Sequence, residues 1–304
     1  MSCALCSTNL LSKRYGQKYA LKDVTLQINP GEIYGLIGKN GAGKTTLMRL
    51  IAGLSFPTSG DIKLFDRTDT CGVRNSRSQI GFMIEGPCVN PSMTAMENLK
   101  LFGILHRQTN LDFYSELIDL VGLNGIGRKR VRDFSLGMKQ RLGIAIALVG
   151  NPKLLILDEP INGLDPIGVK DMREILIHLC RERGIAILLS SHNLPELYQV
   201  ATQYIIIDKG LIVKELSALQ LEMQCRQYLQ ICTDQPQTII TLLKDKLQIN
   251  DYDVMPDHSI RFYDGVSSLN EVAKIIQENR IFITSLSVQG ESLESYFLSI
   301  VGGQ

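Results

Sequence analysis

The run Gly38-Lys39-Asn40-Gly41-Ala42-Gly43-Lys44-Thr45-Thr46 holds the residue types and spacing that suit phosphate chemistry. Its glycines let backbone N–H groups curl round phosphate oxygens, Lys44 is long enough to reach the β- and γ-phosphates of a nucleotide, and the Thr45 hydroxyl can ligate Mg²⁺. Asp158 and Glu159 close an apolar run at residues 154–157. Asp158 is suited to the same Mg²⁺, and Glu159 to orienting or deprotonating an attacking water. His192 follows a second apolar run at 185–189, where it can meet a γ-phosphate as a neutral donor or a proton relay. Ser135 stands at the N-cap of a long apolar helix reaching Val149. Its hydroxyl, the Gly137 amide and the helix end make either a second phosphate site or a plain structural cap. Tyr15, beside Gly16, is placed either to stack on a nucleotide base or simply to pack.

These side chains need strands to carry them. Residues 32–37 alternate into the glycine loop, and the helix from Thr45 to about Ala52 turns its positive end to the same anion. Residues 21–28 alternate apolar and polar positions and end at Asn29-Pro30-Gly31, which predicts a half-buried strand and a turn. Residues 61–65 and 79–84 predict two further short strands. From about Val89 to Gly150 the helical period takes over, with Met96, Leu99 and Phe102 on one face and Phe113, Leu117, Leu120 and Val121 on another. That is a helical insertion between strands of one sheet. A turn at Gly163-Leu164-Asp165-Pro166 precedes a helix over 169–179, and residues 205–213 read as a hairpin.

Beyond a linker helix at 216–227 the order β-α-β-β-α-β predicts a small ferredoxin-like domain over 228–304. Its signs are alternation at 228–233, a stripe of Ile239, Ile240, Leu243 and Leu247, strands at 251–255 and 259–263 around Pro256-Asp257-His258, a capping box at Ser268-Leu269-Asn270-Glu271, and a last strand over 281–288. It carries no catalytic constellation. It is either an appendage for packing and dimer contact or a sensor for a small ligand.

At 304 residues with a formal net charge of +1, the chain has room for two domains and no overall field for nucleic acid or an anionic membrane. The basic cluster Arg128-Lys129-Arg130 with Arg132 is short and reads as a solvated face. Seven cysteines, an odd and scattered set, fit a reducing interior better than a disulfide framework. Cys3-Ala4-Leu5-Cys6 has metal-ligand spacing but lacks a second pair. No apolar run approaches the ~20 residues of a membrane helix, and the start lacks the pattern of a secretory signal.

Several of these motifs, in this order, resemble the ATP-binding subunit of an ABC transporter over about Leu10 to Glu215. Gly38 to Thr46 resembles the Walker A loop, Ser135-Leu136-Gly137-Met138 the ABC signature, residues 154–159 the Walker B strand, Leu164-Asp165 the D-loop, and His192 the switch histidine. Tyr15 falls at the family's adenine-stacking aromatic.

The resemblance implies an α/β fold of the P-loop NTPase type, with a mixed sheet core and a helical subdomain at about 89–150 within a nucleotide-binding domain over 1–215. It implies ATP and Mg²⁺ as cofactors, with Gly38, Asn40, Gly41, Gly43, Lys44, Thr45 and Thr46 around the phosphates. Ser135, Gly137 and Asp165 would act across a dimer, because ATP in this family lies between one subunit's Walker A loop and the other's signature helix. The implied partners are a second nucleotide-binding chain, identical or not, and a membrane-spanning subunit, with the chain peripheral at the cytoplasmic face.

Two departures stand out. The signature carries Leu136 and Met138 where the family has glycine and glutamine, and Glu85 replaces the Q-loop glutamine. An ionised glutamate only accepts hydrogen bonds and is a stronger Mg²⁺ ligand than an amide. Glu85, and the whole stretch from Met83 to Leu99, resembles bacterial exporters of lantibiotics and bacitracin-like peptides. Export of such a peptide or another amphiphile is therefore the leading expectation. An importer ATPase with a solute-sensing tail, and an ABC ATPase without a membrane partner, are the alternatives.

Overall fold

A computed structural model of the chain describes residues 4–192, 194–257, 259–264, 268–290 and 293–302. The chain divides into two compact units, Met1–Ala218 and Leu219–Gln304. Among the described residues no helix is long and apolar enough to cross a membrane.

The first unit opens on β1 (Cys6–Tyr15) and β2 (Lys18–Ile28), an antiparallel pair joined at Gly16. Next, β3 (Ile33–Ile37) runs through the glycine loop into α1 (Lys44–Ala52). β4 (Ser59–Leu64) pairs with β1 and completes a three-stranded antiparallel sheet, in the order β2-β1-β4. A short α2 (Thr70–Ser76) leads to β5 (Ile80–Met83). Three helices follow, α3 (Ala95–His106), α4 (Leu111–Leu120) and α5 (Leu136–Leu148). α3 begins at a capping box in which Thr94 and Glu97 each serve the other's backbone.

The chain then returns through β6 (Leu154–Leu157), α6 (Pro166–Arg181), β7 (Ala186–Ser191), α7 (Leu194–Tyr198), β8 (Gln203–Asp208) and β9 (Leu211–Ser217). These strands form one sheet, β5-β6-β7-β3-β8-β9, parallel except for the terminal hairpin of β8 and β9. Every residue of β3, β6 and β7 is buried, as strands covered on both faces must be. That burial explains why they read as unbroken apolar runs rather than alternating ones.

α1 is locked between the two sheets. Leu47, Met48, Leu50 and Ile51 are fully buried in one core with Leu11, Leu21 and Ile28 of the antiparallel sheet and Leu36, Leu154, Leu188 and Ile205 of the parallel one. Each such side chain contributes about 1.5–3 kcal/mol by leaving water. The phosphate loop is therefore anchored at both ends by core, by β3 before it and α1 after it.

α8 (Ala218–Cys225) starts at the last residue of the first unit, and the second unit continues with β10 (Tyr228–Cys232), α9 (Pro236–Leu247), β11 (Tyr252–Val254), β12 (Ser259–Phe262), α10 (Leu269–Glu278), β13 (Ser285–Gln289) and α11 (Leu293–Gly302). Its sheet is antiparallel in the order β11-β12-β10-β13, the ferredoxin-like arrangement. Leu229, Ile231, Ile260 and Phe262 meet Ile239, Leu243, Val272 and Ile276 of the helices.

Two local expectations need correction. Ser268 stands at the N-cap of α10 but its side chain caps nothing, so no capping box forms there. The final strand begins at Ser285, not Ile281. Ile281 and Ile283 still pack against the core, so their apolar character reflects burial rather than strand pairing. His258 and Cys3 lie outside the described residues.

Candidate nucleotide site

Past the end of β3, the loop that starts at Gly38 is shaped by contacts that leave no room for a side chain at Gly38 or Gly43. A Cβ on Gly38 would stand 2.4 Å from the Ile207 carbonyl oxygen, and one on Gly43 2.7 Å from that of Ala20. Gly43 also has φ 112°, and it serves as the N-cap of α1 without a side-chain cap bond. Leu47 N–H is bonded to the Gly43 carbonyl. The N–H groups before it, in the first helical turn, therefore point out of the helix end toward an anion. Gly38→Ala is expected to cost about 1–3 kcal/mol of stability and to weaken nucleotide binding together with it. Thermal denaturation and ATP titration check this; unchanged values in both would show that the loop can move aside.

Lys44 is almost fully buried, and its Nζ donates to the carbonyls of Gly38 at 2.6 Å and Lys39 at 3.4 Å. Glu159 Oε1 lies 3.9 Å from the same nitrogen. Burial draws the Lys44 ammonium below the ordinary lysine value, against the attraction of Glu159 and Asp158. Lys39, Asn40, Gly41, Gly43, Lys44, Thr45, Thr46 and Glu159 share the walls of a cavity of about 170 Å³ with Ala20 and Ala42.

The parallel register brings the acids to this loop. Leu157 pairs with Leu189, so Ser190 lies opposite Asp158 at the strand ends. Ser190 Oγ donates to Asp158 Oδ1 at 2.6 Å and accepts from the Glu159 N–H at 2.9 Å. Thr45 Oγ1 donates to Asp158 Oδ2 at 2.8 Å. A hydroxyl and a carboxylate so close are hard oxygen donors of the kind Mg²⁺ takes alongside phosphates and water. Among the described residues, no group of three His, Cys, Asp or Glu side chains could hold a metal unaided.

Glu159 has φ 47°, a left-handed conformation seldom adopted outside glycine and one that clusters at functional sites. Its Oε2 accepts from Asn162 Nδ2 at 2.9 Å and lies 3.1 Å from His192 Nδ1. Neither Ser190 nor Asn162 was singled out from the sequence. For Ser190 the sequence holds no local signal, since its place beside Asp158 arises from the β6–β7 register; for Asn162 the signal is the turn three residues after Glu159.

The remaining candidates lie elsewhere. Tyr15 is half exposed at the end of β1, with Lys13 Nζ 5.0 Å from its ring centre. Ser135 caps α5 by accepting from Met138 N–H, and Asp165 caps α6 by accepting from Gly168 N–H. Gly137 and Leu164 adjoin, as do Leu136 and Gly163, so the signature and D-loop segments form one surface. Ser135, Gly137 and Asp165 do not line the phosphate-loop cavity of their own chain. Glu85, with φ 64°, pairs through Oε2 with Arg49 Nη2 at 2.9 Å. It borders a second cavity, of about 270 Å³, with Thr45, Gly86, Gln140, Asp158, Glu159 and Asn162.

A phosphate loop between β3 and α1, facing two carboxylates just past the end of β6, a parallel strand one beyond β7, defines a P-loop nucleoside triphosphatase. The comparisons narrow that class. The family model described as ABC transporter matches residues 21–162. The bacitracin transport ATP-binding protein BcrA of Bacillus licheniformis is 39% identical over 98% of this chain and 98% of its own. The lantibiotic transport ATP-binding protein SrtF of Streptococcus pyogenes is 42% identical over 67% of this chain and 87% of its own. A dimeric ATP-binding cassette in a post-hydrolysis state with ADP and Pi superposes with a TM-score of 0.64 and 25% identity, over 70% of this chain and 98% of that one. The chain belongs to the ABC transporter family as an ATP-binding, ATP-hydrolysing protein.

Proposed function

We propose that this ATPase energises export of a bacitracin- or lantibiotic-like peptide, or another amphiphile, through a separate membrane-spanning subunit. The observation that carries this reading is the likeness to a bacitracin transport ATP-binding protein over 98% of both chains, which takes in the C-terminal unit as well as the nucleotide site. The chain works at the cytoplasmic face of the membrane. Residues 1–215 act as the nucleotide-binding domain, 216–227 as a linker, and 228–304 as an accessory domain for packing or dimer contact.

In this reading the loop N–H groups and Lys44 bind the phosphates, and Tyr15 stacks on the adenine. Thr45 and Asp158 hold Mg²⁺, which neutralises charge on the β- and γ-phosphates when bound. Asp158 suits holding rather than proton transfer, because both its oxygens already accept from hydroxyls. Glu159, fixed by Asn162 and facing His192, takes the proton of the attacking water as its oxygen bonds to the γ-phosphorus. The bond to the β-phosphate oxygen breaks, leaving ADP and inorganic phosphate. Ser135 and Gly137 do not line their own phosphate loop's cavity, which suits contact with ATP held by a second chain. Asp165, beside them, belongs to the same surface.

A groove of about 260 Å³ lies next to Glu85. It is lined by Phe82, Met83, Ile84, Gly86 and Cys88 on one side and by Phe102, His106, Gly143 and Ile146 on the other. This groove and the segment from Glu85 to Asn98 suit a docking segment of the membrane subunit, with Glu85 linking that contact to Mg-ATP. Glu85→Ala is expected to lower partner-stimulated ATPase and peptide export by about tenfold or more while the isolated chain still binds ATP. Unchanged stimulation and export would remove Glu85 from coupling. The broader reading is tested by copurification from detergent-solubilised host membranes with tagged protein. Recovery of a multi-span protein supports it; recovery of ATP-binding chain alone counts against a membrane partner.

A further inference from the structure

Three carboxylates, Glu85, Asp158 and Glu159, border one cavity with Thr45, Gly86, Gln140 and Asn162. Two of them are held from within the site, Asp158 by Thr45 and Ser190 and Glu159 by Asn162. Glu85 is held from outside the cavity lining, by Arg49 at 2.9 Å. Arg49 lies four residues after Thr45 on α1, so the two side chains share a helix face one turn apart. A single rigid helix therefore carries both the hydroxyl that engages Asp158 and the cation that engages Glu85.

The loop around Glu85 has the features of a movable attachment. Glu85 and Gly86 are consecutive residues with positive φ, 64° and 114°, and at Glu85 such a backbone is sustained only by its surroundings. The ion pair is well exposed, 40% at Arg49 and 58% at Glu85, so it is weak and can be exchanged. Gln140 of α5 also lines this cavity. It is 7% exposed, and its Oε1 is buried without a hydrogen-bond partner. The cavity wall thus keeps unused bonding capacity, as a site that takes up further groups does.

We infer that Arg49 is a positioning residue for Glu85. Its guanidinium holds the third carboxylate at the cavity rim, off the Thr45–Asp158 pair, and yields it when Mg-ATP enters. This rests on the reading of Thr45, Asp158 and Glu85 as the magnesium side of the site. A carboxylate leaving Arg49 for the cavity meets two others there, and their repulsion opposes the move until a divalent cation is present. Arg49 and Mg²⁺ compete for one anion. Removing Arg49 favours Glu85 on the metal and leaves the metal-free site more negative toward ATP.

Equilibrium binding of N-methylanthraniloyl-ATP, with Mg²⁺ and again in EDTA, reads this without any turnover. It is measured on the full chain as wild type, Arg49→Met, Glu85→Gln and the double variant. In Arg49→Met the ratio of affinity with Mg²⁺ to affinity without it is expected to rise by roughly 1.5- to fivefold, the span of an exposed ion pair. With glutamine at 85 the same change is expected to leave that ratio unaltered. Arg49→Lys, which keeps the charge, should track the wild type. An equal effect of Arg49→Met in both backgrounds, a loss of binding in both arms, or no effect beside Glu85 overturns the proposal. Failure of the Glu85→Gln chain to differ from wild type in its own Mg²⁺ ratio strikes instead at Glu85 as a group on the magnesium side.

Discussion

Lys44→Ala is expected to lower ATP affinity by at least about a hundredfold while leaving the chain folded. The side chain is wrapped by its own loop, with Nζ on the carbonyls of Gly38 and Lys39 and Glu159 3.9 Å away. ATP brings several negative charges to a place already flanked by Asp158 and Glu159. Without Lys44 those carboxylates repel the phosphates, and the charge-assisted bonds from the ammonium are gone as well. The folded chain itself gives up less, because burial already disfavours the Lys44 ammonium. Thermal denaturation with and without Mg-ATP separates the two effects. Saturating ligand at a hundred times its Kd adds about 2.7 kcal/mol to a native state, and in Lys44→Ala that increment should fall to about 0.4 kcal/mol or less while the ligand-free midpoint stays close to wild type. An ATP-induced shift that survives the substitution in full would move phosphate binding away from this lysine.

What was legible in the sequence followed from how it is buried. Parallel strands covered on both faces leave continuous apolar runs, so residues 154–157 and 185–189 announced themselves, and with them the acids and the histidine at their ends. The glycine loop is legible because contact with Ile207 at Gly38 and with Ala20 at Gly43 admits no side chain at those two positions. Boundaries were less so. The helix expected at 169–179 runs over Pro166–Arg181, because Asp165 caps it and proline suits its first turn. Long-range partners were illegible. Nothing local to Glu85 points to Arg49, and nothing local to Asp158 points to Ser190, since both pairings arise only when α1 and β7 are set beside the ends of β5 and β6. In the C-terminal unit, Ile281 and Ile283 read as strand because burial and strand pairing leave the same apolar mark.

Glu159→Gln is the substitution with the clearest separation of binding from chemistry. Glutamine keeps the length and an acceptor oxygen for Asn162, but it cannot take a proton from water. Hydrolysis should fall by about a hundred- to ten-thousandfold while ATP affinity holds or rises, since one negative charge near the phosphates is removed. Phosphate release under saturating Mg-ATP reads the first effect, and nucleotide titration reads the second. A site completed by Ser135 and Gly137 of a second chain adds a third expectation: ATP trapped unhydrolysed should hold two chains together, visible as a dimer on gel filtration only when ATP is present. Combining Glu159→Gln with Ser135→Arg should abolish that dimer, because a bulky cation replaces the small hydroxyl at the facing helix end. The contrast with Asp158 explains why the neighbouring acid is not an equivalent target. Its two oxygens serve Thr45 and Ser190, so Asp158→Asn should disturb the arrangement of the phosphate loop as well as turnover. Residual hydrolysis in Glu159→Gln within about tenfold of wild type would return the proton to another base, and His192, 3.1 Å away, would be the first to examine.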